Sequence, residues 1–376
     1  MSRSAVVVGA GIVGAACAEA LAADGWRVEI LEARRPGGGA TAAGMGHILV
    51  LDDSEAQLAL THLSRTLWDE RRAEWPASVE RDPCGTIWVA ADGEEMEAVH
   101  SKFDWYASRG IRSEVLDAEG LLRHEPNLRR GLCGGLRFEE DSVVYPPAAT
   151  RHLLDRAVAH GAVIEDQAPV RRAGDGWVEL EGGVRREADL VLVAAGVDTP
   201  RIVAETALVV RHKKGHLAIT ARAPGFVRHQ LIELGYLKSA HGADPTSVAF
   251  NVQPRATGQV LLGSSRQMDV EDPAVEPEIL ARMTRRAFEY MPGLADLPVV
   301  RTWAGFRPAT DDNLPVIGPL PESPGLWVAT GHEGVGITTS LGTARLVAEL
   351  ADGRSPSIDP RPFAFDRLLV GGVGHG

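Results

Sequence analysis

The sequence predicts an α/β protein: a Rossmann-like βαβ domain that is discontinuous in the chain, and a second, α+β domain built on a mainly antiparallel sheet. Three observations carry this. The chain opens on a buried strand, a G-x-G-x-x-G turn and a small-residue helix. Near its end it repeats the theme in "LWVATGHEGVGITTS", residues 326 to 340, where an apolar run breaks into Gly331, Gly334 and Gly336. Between them, from about 207 to 304, alternating strands with one helix replace the βα pattern.

The totals set the frame. With 376 residues the chain is long enough for about two domains. Its net charge of −12 comes from 51 acidic and 39 basic residues, and that sign excludes a phosphate-binding surface for nucleic acid. Cys17, Cys84 and Cys133 are odd in number and far apart, which speaks against a disulfide framework or a metal cluster. Reduced cysteines and the lack of a visible signal peptide predict a cytoplasmic protein. The run "AVVVGAGIVGAACAEALAA" is apolar, but its three glycines and Glu19 argue against a membrane span.

The first unit justifies the Rossmann assignment. "AVVV" reads as a strand, Gly9 makes the tight turn, Gly11 admits a pyrophosphate, and Gly14 allows close helix packing. The helix start offers free N–H groups to a diphosphate. Glu32 ends the second strand 23 residues after Gly9 (32 − 9), where an acid meets a ribose hydroxyl. Cys17 falls on the packed side of this helix. Residues 33 to 48, "ARRPGGGATAAGMGHI", read as a loop whose small residues permit close approach to a flat ligand.

Further along, residues 54 to 75 form a predicted helix with Leu58, Leu60, Leu63, Leu67 and Trp68 on its apolar face, and 94 to 109 another. Pro146 and Pro147 mark a helix start after Tyr145. "GWVELEGGVRREADLVLVAAG" holds a hairpin, then a buried strand from Leu190 to Ala194 that stops at Gly196. "HLAIT", "SVAFNVQP" and "QVLLGSS" are strands, and 276 to 290 a helix. Alternation in "AFNVQ" puts Ala249, Asn251 and Gln253 on one side and Phe250 and Val252 on the other. Arg211, His212, Lys213 and Lys214 form a basic run that reads as a solvated turn or a docking spot for a partner. These shifts of pattern divide the chain into 1–75, 143–206 and 305–376 for the nucleotide domain, and 76–142 and 207–304 for the substrate domain.

"WAGFRPATDDNLPVIG", residues 303 to 318, completes a set of motifs in order: the N-terminal fingerprint, Glu32, "ADLVLVAAG" and "GLWVATGHEGVGITTS". With them the whole chain resembles the FAD-dependent D-amino acid oxidase superfamily. Within it, the chain is similar to the branch of glycine oxidase, D-hydroxyproline dehydrogenase and the FAD subunits of hydrogen cyanide synthase and of opine and sarcosine oxidases.

The resemblance implies an extended, non-covalent FAD, since the cysteine used for covalent linkage in monomeric sarcosine oxidases would follow Cys133 and none does. It implies cofactor contacts by Gly9, Gly11, Ile12, Val13, Gly14 and Glu32 at the pyrophosphate and ribose end. Ala33, Arg34, Thr41, Ala42, Gly44, Met45 and Gly46 follow in the small-residue loop, with Val170, Ala195 and Gly196 further on. The C-terminal contacts would be Gly305, Arg307, Gly331, His332, Glu333, Gly334, Val335, Gly336, Ile337 and Thr338, whose helix start would stabilise charge on the reduced flavin.

For the substrate, Arg307 matches the family arginine that grips a carboxylate by two parallel hydrogen bonds. Met45 matches a pocket-lining position. Asn251 stands where glycine oxidases carry an aromatic hydroxyl, which points away from glycine, and Tyr236 is the candidate replacement hydroxyl. Glu333 has no counterpart carboxylate in glycine oxidase and would face a ring amine or hydroxyl of the substrate. His47 is the one flavin-adjacent histidine in its loop. No metal site is expected.

The activity so implied is oxidation of a small D-amino or cyclic imino acid, D-hydroxyproline or D-proline first, to the imine by hydride transfer to flavin N5. Electrons would go to oxygen, a partner subunit or another acceptor. Three alternatives stay open: oxidation of a 2-hydroxy acid with His332 or His47 as base, glycine or sarcosine oxidase-type activity, and an FAD subunit active only in a hetero-oligomer.

Overall fold

The computed structural model describes residues 3–235 and 246–370. The chain divides into two compact units, one of residues 1–79, 145–213 and 306–376, the other of residues 80–144 and 214–305.

The first unit is built on a six-stranded sheet in the order Val316–Leu320, Ser323–Thr330, Leu190–Val193, Ser4–Val8, Arg27–Leu31, Val163–Glu165. Every neighbour pair is parallel except the first. The central strands are the runs "AVVV" and "LVLV", apolar on both faces because both faces of the sheet are covered. On one side their side chains join Val170, Val178, Ile202 and Phe365 in a single core.

The helix Ile12–Ala23 has no polar face, and nine of its twelve residues are buried. It is held between the helices Pro146–Ala159 and Gly336–Ala351. Small residues make this possible: a Cβ on Gly14 would sit 2.0 Å from the Gly9 carbonyl oxygen. The helix Glu55–Glu70 starts at Ser54, whose hydroxyl accepts from Gln57 N–H at 3.1 Å, and buries Leu58, Leu60, Leu67 and Trp68. A three-stranded antiparallel sheet, Arg185–Glu187, Trp177–Leu180 and Val170–Gly174, contains the expected hairpin.

The second unit carries an eight-stranded, mainly antiparallel sheet in the order Val299–Ala309, Arg211–Thr220, Val260–Met268, Thr246–Pro254, Gln230–Glu233, Thr86–Ala90, Gly134–Phe138, Glu114–Asp117. The two long strands at its start continue into residues of the first unit. One sheet face (Ile87, Val89, Leu231, Phe250, Val252, Leu262) packs under the helix Pro277–Tyr290 through Met283, Ala287 and Tyr290.

Two sequence expectations need correction. The stretch 33–48 is not all loop: it holds a short helix, Ala40–Ala43, and a strand, His47–Ile48. The basic run 211–214 is the start of a ten-residue strand and not a turn, and Lys213 and Lys214 are buried. At 249–253 Phe250 and Val252 share the core face of the sheet as the alternation has it, and all five residues are buried. The pairing with the neighbouring strand shifts register between Val248 and Asn251. Among the described residues no helix is long and apolar enough to cross a membrane.

Candidate active site and cofactor cradle

The first glycine turn is shaped by contacts that leave no room for side chains. Gly9 has φ 104°, and a Cβ there would lie 2.6 Å from the Ala194 carbonyl oxygen and 3.2 Å from the Cα of Ala195. Gly11 is different: its added Cβ would meet only Thr41 Oγ1, at 3.4 Å. The turn is thus tight where it meets the sheet and open at the helix start. No side chain caps that start, and Thr41 Oγ1 accepts from Ile12 N–H at 3.1 Å. The first-turn amides of Val13 and Gly14 point along the axis, as at any helix N-terminus. Glu32 is oriented from two sides. Its carboxylate accepts from Ala10 N–H at 2.8 Å and from Arg34 N–H at 2.9 Å.

The second glycine turn comes to the same place. Gly331 has φ 77°, with Thr310 filling the space where a side chain would stand. His332 forms an isolated bridge with Ala309 and is followed by a short 3-10 turn, Glu333–Val335, that leads into the helix Gly336–Ala351. A Cβ on Gly336 would lie 3.9 Å from the Val13 side chain, and one on Gly44 only 2.6 Å from Ile337 Cδ1. Thr338 Oγ1 donates to the His47 carbonyl at 2.8 Å. Thr330 Oγ1 donates to the Gly196 carbonyl at 3.0 Å. The two turns, the 40–48 segment and the end of the Leu190–Val193 strand therefore meet within one unit.

Beside the second turn lies its charged group. Arg307, on the strand Val299–Ala309, runs next to Gly334, whose added Cβ would be 3.6 Å from Arg307 Cδ and 3.7 Å from Nε. Glu333 has φ 49°, and its carboxylate accepts from Gly334 N–H and lies 3.1 Å from Lys213 Nζ. Lys213 also donates to Asn313 Oδ1 at 3.3 Å. His332 is buried, and its Nε2 lies 3.0 Å from Thr343 Oγ1. Burial lowers its pKa to about 3, so the ring is neutral at neutral pH.

Several predicted residues take less central places. Val170 belongs to the core under the sheet. Ala33, Arg34 and Ala42 are exposed, and Gly46 turns the chain with φ 99° ahead of the strand His47–Ile48. Met45 is buried beside that turn, and His47 is half-buried. Gly305 lies two residues before Arg307 on the same strand, and Asn251 is buried on the strand Thr246–Pro254 of the second unit. Tyr236 lies outside the described residues. Lys213 and Asn313 were missed from the sequence. The one signal for Lys213 was its place just ahead of the apolar strand run "HLAIT".

These residues fit an extended dinucleotide: a helix start whose N-cap is a glycine, nothing but a hydroxyl above that glycine, and an oriented carboxylate at the end of the second strand. The family of FAD-dependent oxidoreductases designated DAO matches residues 4–350. The chain belongs to that family.

As a DAO-family oxidoreductase it is similar over nearly its whole length to known proteins. The glycine oxidase of Pseudomonas aeruginosa is 29% identical over 380 residues, which is 97% of this chain and 99% of that protein. The D-amino acid dehydrogenase of Xanthobacter autotrophicus is 27% identical over 322 residues, 82% of this chain and 73% of the other. The crystal structure of glycine oxidase from Geobacillus kaustophilus superposes with a TM-score of 0.85 at 25% identity, covering 96% of this chain and 98% of that one. The protein is an FAD-dependent oxidoreductase, and its mixed α/β fold is that of these flavoenzymes. Among the described residues no group of three or more His, Cys, Asp and Glu is placed to hold a metal.

Proposed function

We propose that this oxidoreductase acts on a small D-amino or cyclic imino acid, with D-hydroxyproline and D-proline the best candidates. The observation that carries this is Arg307 running beside the Glu333–Gly334 turn, whose carboxylate is paired with Lys213. Similarity to a glycine oxidase and a D-amino acid dehydrogenase supports the amino-acid class.

FAD, when bound, supplies the acceptor for the hydride leaving the substrate Cα. The chain's own residues do the positioning. Arg307 takes the substrate carboxylate through two hydrogen bonds, which sets orientation as well as charge. Glu333 accepts a hydrogen bond from the ring amine or hydroxyl. Met45 is assigned to the pocket wall on the resemblance to the family. Holding reacting atoms near 3–3.5 Å is worth several kcal/mol, about 7–11 at its best, without a strong base.

A 2-hydroxy acid needs such a base for its O–H proton. His332 is an unfavourable candidate, being buried with its Nε2 on Thr343. Glycine or sarcosine oxidation remains the second reading, favoured by the length of the match to glycine oxidase. The test is anaerobic mixing of the FAD-loaded protein with D-proline, D-hydroxyproline, glycine, sarcosine and D-lactate. Bleaching of the flavin by the imino acids first supports the reading. Bleaching by lactate alone, or by none of them, removes it.

A further inference from the structure

Lys213 is a buried cation held by two unusual residues. It is 7% exposed. Its Nζ meets Glu333 Oε1 at 3.1 Å and Asn313 Oδ1 at 3.3 Å. Both oxygens come from residues in the left-handed backbone region, with φ 49° for Glu333 and 57° for Asn313. Asparagine tolerates that region, but glutamate there is uncommon, and such outliers collect at functional sites. The other oxygen of Glu333 accepts from Gly334 N–H, so both oxygens of the carboxylate are engaged, one in an ion pair and one in a hydrogen bond. Gly334 itself is exposed, and Arg307 runs beside it.

We propose that Lys213 is a positioning residue for ligand selection: it locks the Glu333 carboxylate beside Arg307, so that the site selects small acids carrying a hydrogen-bond donor next to the carboxylate. This rests on Arg307 binding the substrate carboxylate, as argued above. The selection follows from the charges. A ligand held at Arg307 meets a fixed acceptor, which rewards an N–H or O–H and penalises an acceptor or a second carboxylate. Lys213 also neutralises Glu333, without which a half-buried carboxylate would stand uncompensated beside the bound acid. A lysine serving only to stabilise the fold would affect all ligands alike.

The experiment compares pyrrole-2-carboxylate with 2-furoate, two acids of one shape that differ in an N–H donor against an oxygen acceptor. Dissociation constants are read from the perturbation of flavin absorbance in FAD-loaded protein. The wild type should bind the pyrrole about tenfold more tightly, the scale of one buried hydrogen bond made or denied. Lys213→Met should bring the two affinities within about twofold while FAD stays bound, and Lys213→Arg should restore most of the preference. Glu333→Gln, which keeps shape and removes charge, should weaken the preference without disturbing the fold, and gives the answer even if Lys213→Met folds poorly. An unchanged ratio in Lys213→Met and Glu333→Gln overturns the proposal alone, provided D-imino acids still reduce the flavin. If neither acid perturbs the flavin and no imino acid reduces it, the functional reading falls as well.

Discussion

Thr338 Oγ1 donates to the carbonyl of His47 at 2.8 Å, tying the start of the C-terminal helix to the segment that follows the first βαβ unit. Two glycine turns from opposite ends of the sequence are thereby held against one another. The contact of Gly44 with Ile337, and of Gly336 with Val13, repeats the same connection in apolar terms. A cofactor laid on the first turn has the second within the same unit. The predictions below follow from that arrangement.

At Gly14 the cradle has no space for one methyl group. A Cβ on Gly14 would meet the Gly9 carbonyl oxygen at 2.0 Å, a backbone atom that cannot rotate away. Gly14→Ala is expected to cost about 1–3 kcal/mol by overpacking and to lower FAD content well below that of the wild type. Gly11→Ala, which meets only Thr41 Oγ1 at 3.4 Å, should leave the fold intact and weaken FAD alone. The ratio of flavin to protein absorbance, with melting temperature, checks both.

Arg307 tests the substrate assignment. Arg307→Met should lower kcat/KM for the best imino acid by about 100-fold or more, the effect of losing a charged, bidentate contact worth about 3 kcal/mol. Arg307→Lys should recover only part of it, because an ammonium lacks the planar fork. Steady-state kinetics on FAD-loaded variants decide this, and equal rates would take Arg307 out of the site.

His332 makes stability depend on pH in a defined window. Burial depresses its folded-state pKa to about 3, against an unfolded value near 6.5. Between those values the unfolded chain binds a proton that the native one does not. Its contribution is therefore fully present above about pH 6.5 and lost as pH falls toward 3, with a slope of at most about 1.4 kcal/mol per unit. Urea unfolding of the wild type and His332→Gln at pH 7, 6, 5 and 4 should give curves that converge as the pH drops. Parallel curves would contradict the assignment.

Flavin attachment gives a simple chemical check. Cys17 is buried in the first helix, where burial pushes its thiol up to about 12, and Cys84 is pushed to about 12 as well. Neither is a reactive thiolate. Acid precipitation should leave the yellow colour in the supernatant. Flavin that stays with the denatured chain would show a covalent link.

What was legible in the sequence was local. The G-x-G-x-x-G turn, Glu32 and the flanking apolar strands announce themselves because each glycine serves a contact within a few residues of itself or on the next strand. The helix after Pro146 and the strand Leu190–Val193 were readable for the same reason. Lys213 and Lys214 were not. Consecutive charges look like a solvated turn, but residues on a strand alternate in facing, and each lysine here has a carboxylate far away in sequence, Glu333 for one and Glu276 for the other, at 2.7 Å. Pairing across such distances leaves no periodic trace. The even burial of 249–253 was hidden likewise, since alternation separates the two faces of a strand but does not say what covers each of them.

The most direct test of the whole account is an anaerobic titration of FAD-loaded protein with D-hydroxyproline, run in parallel on the wild type and Arg307→Met. The account predicts stoichiometric loss of the oxidised flavin band in the wild type and little change in the variant at the same concentrations. Equal bleaching of both proteins, or a wild-type flavin that no D-amino or imino acid reduces, would contradict it.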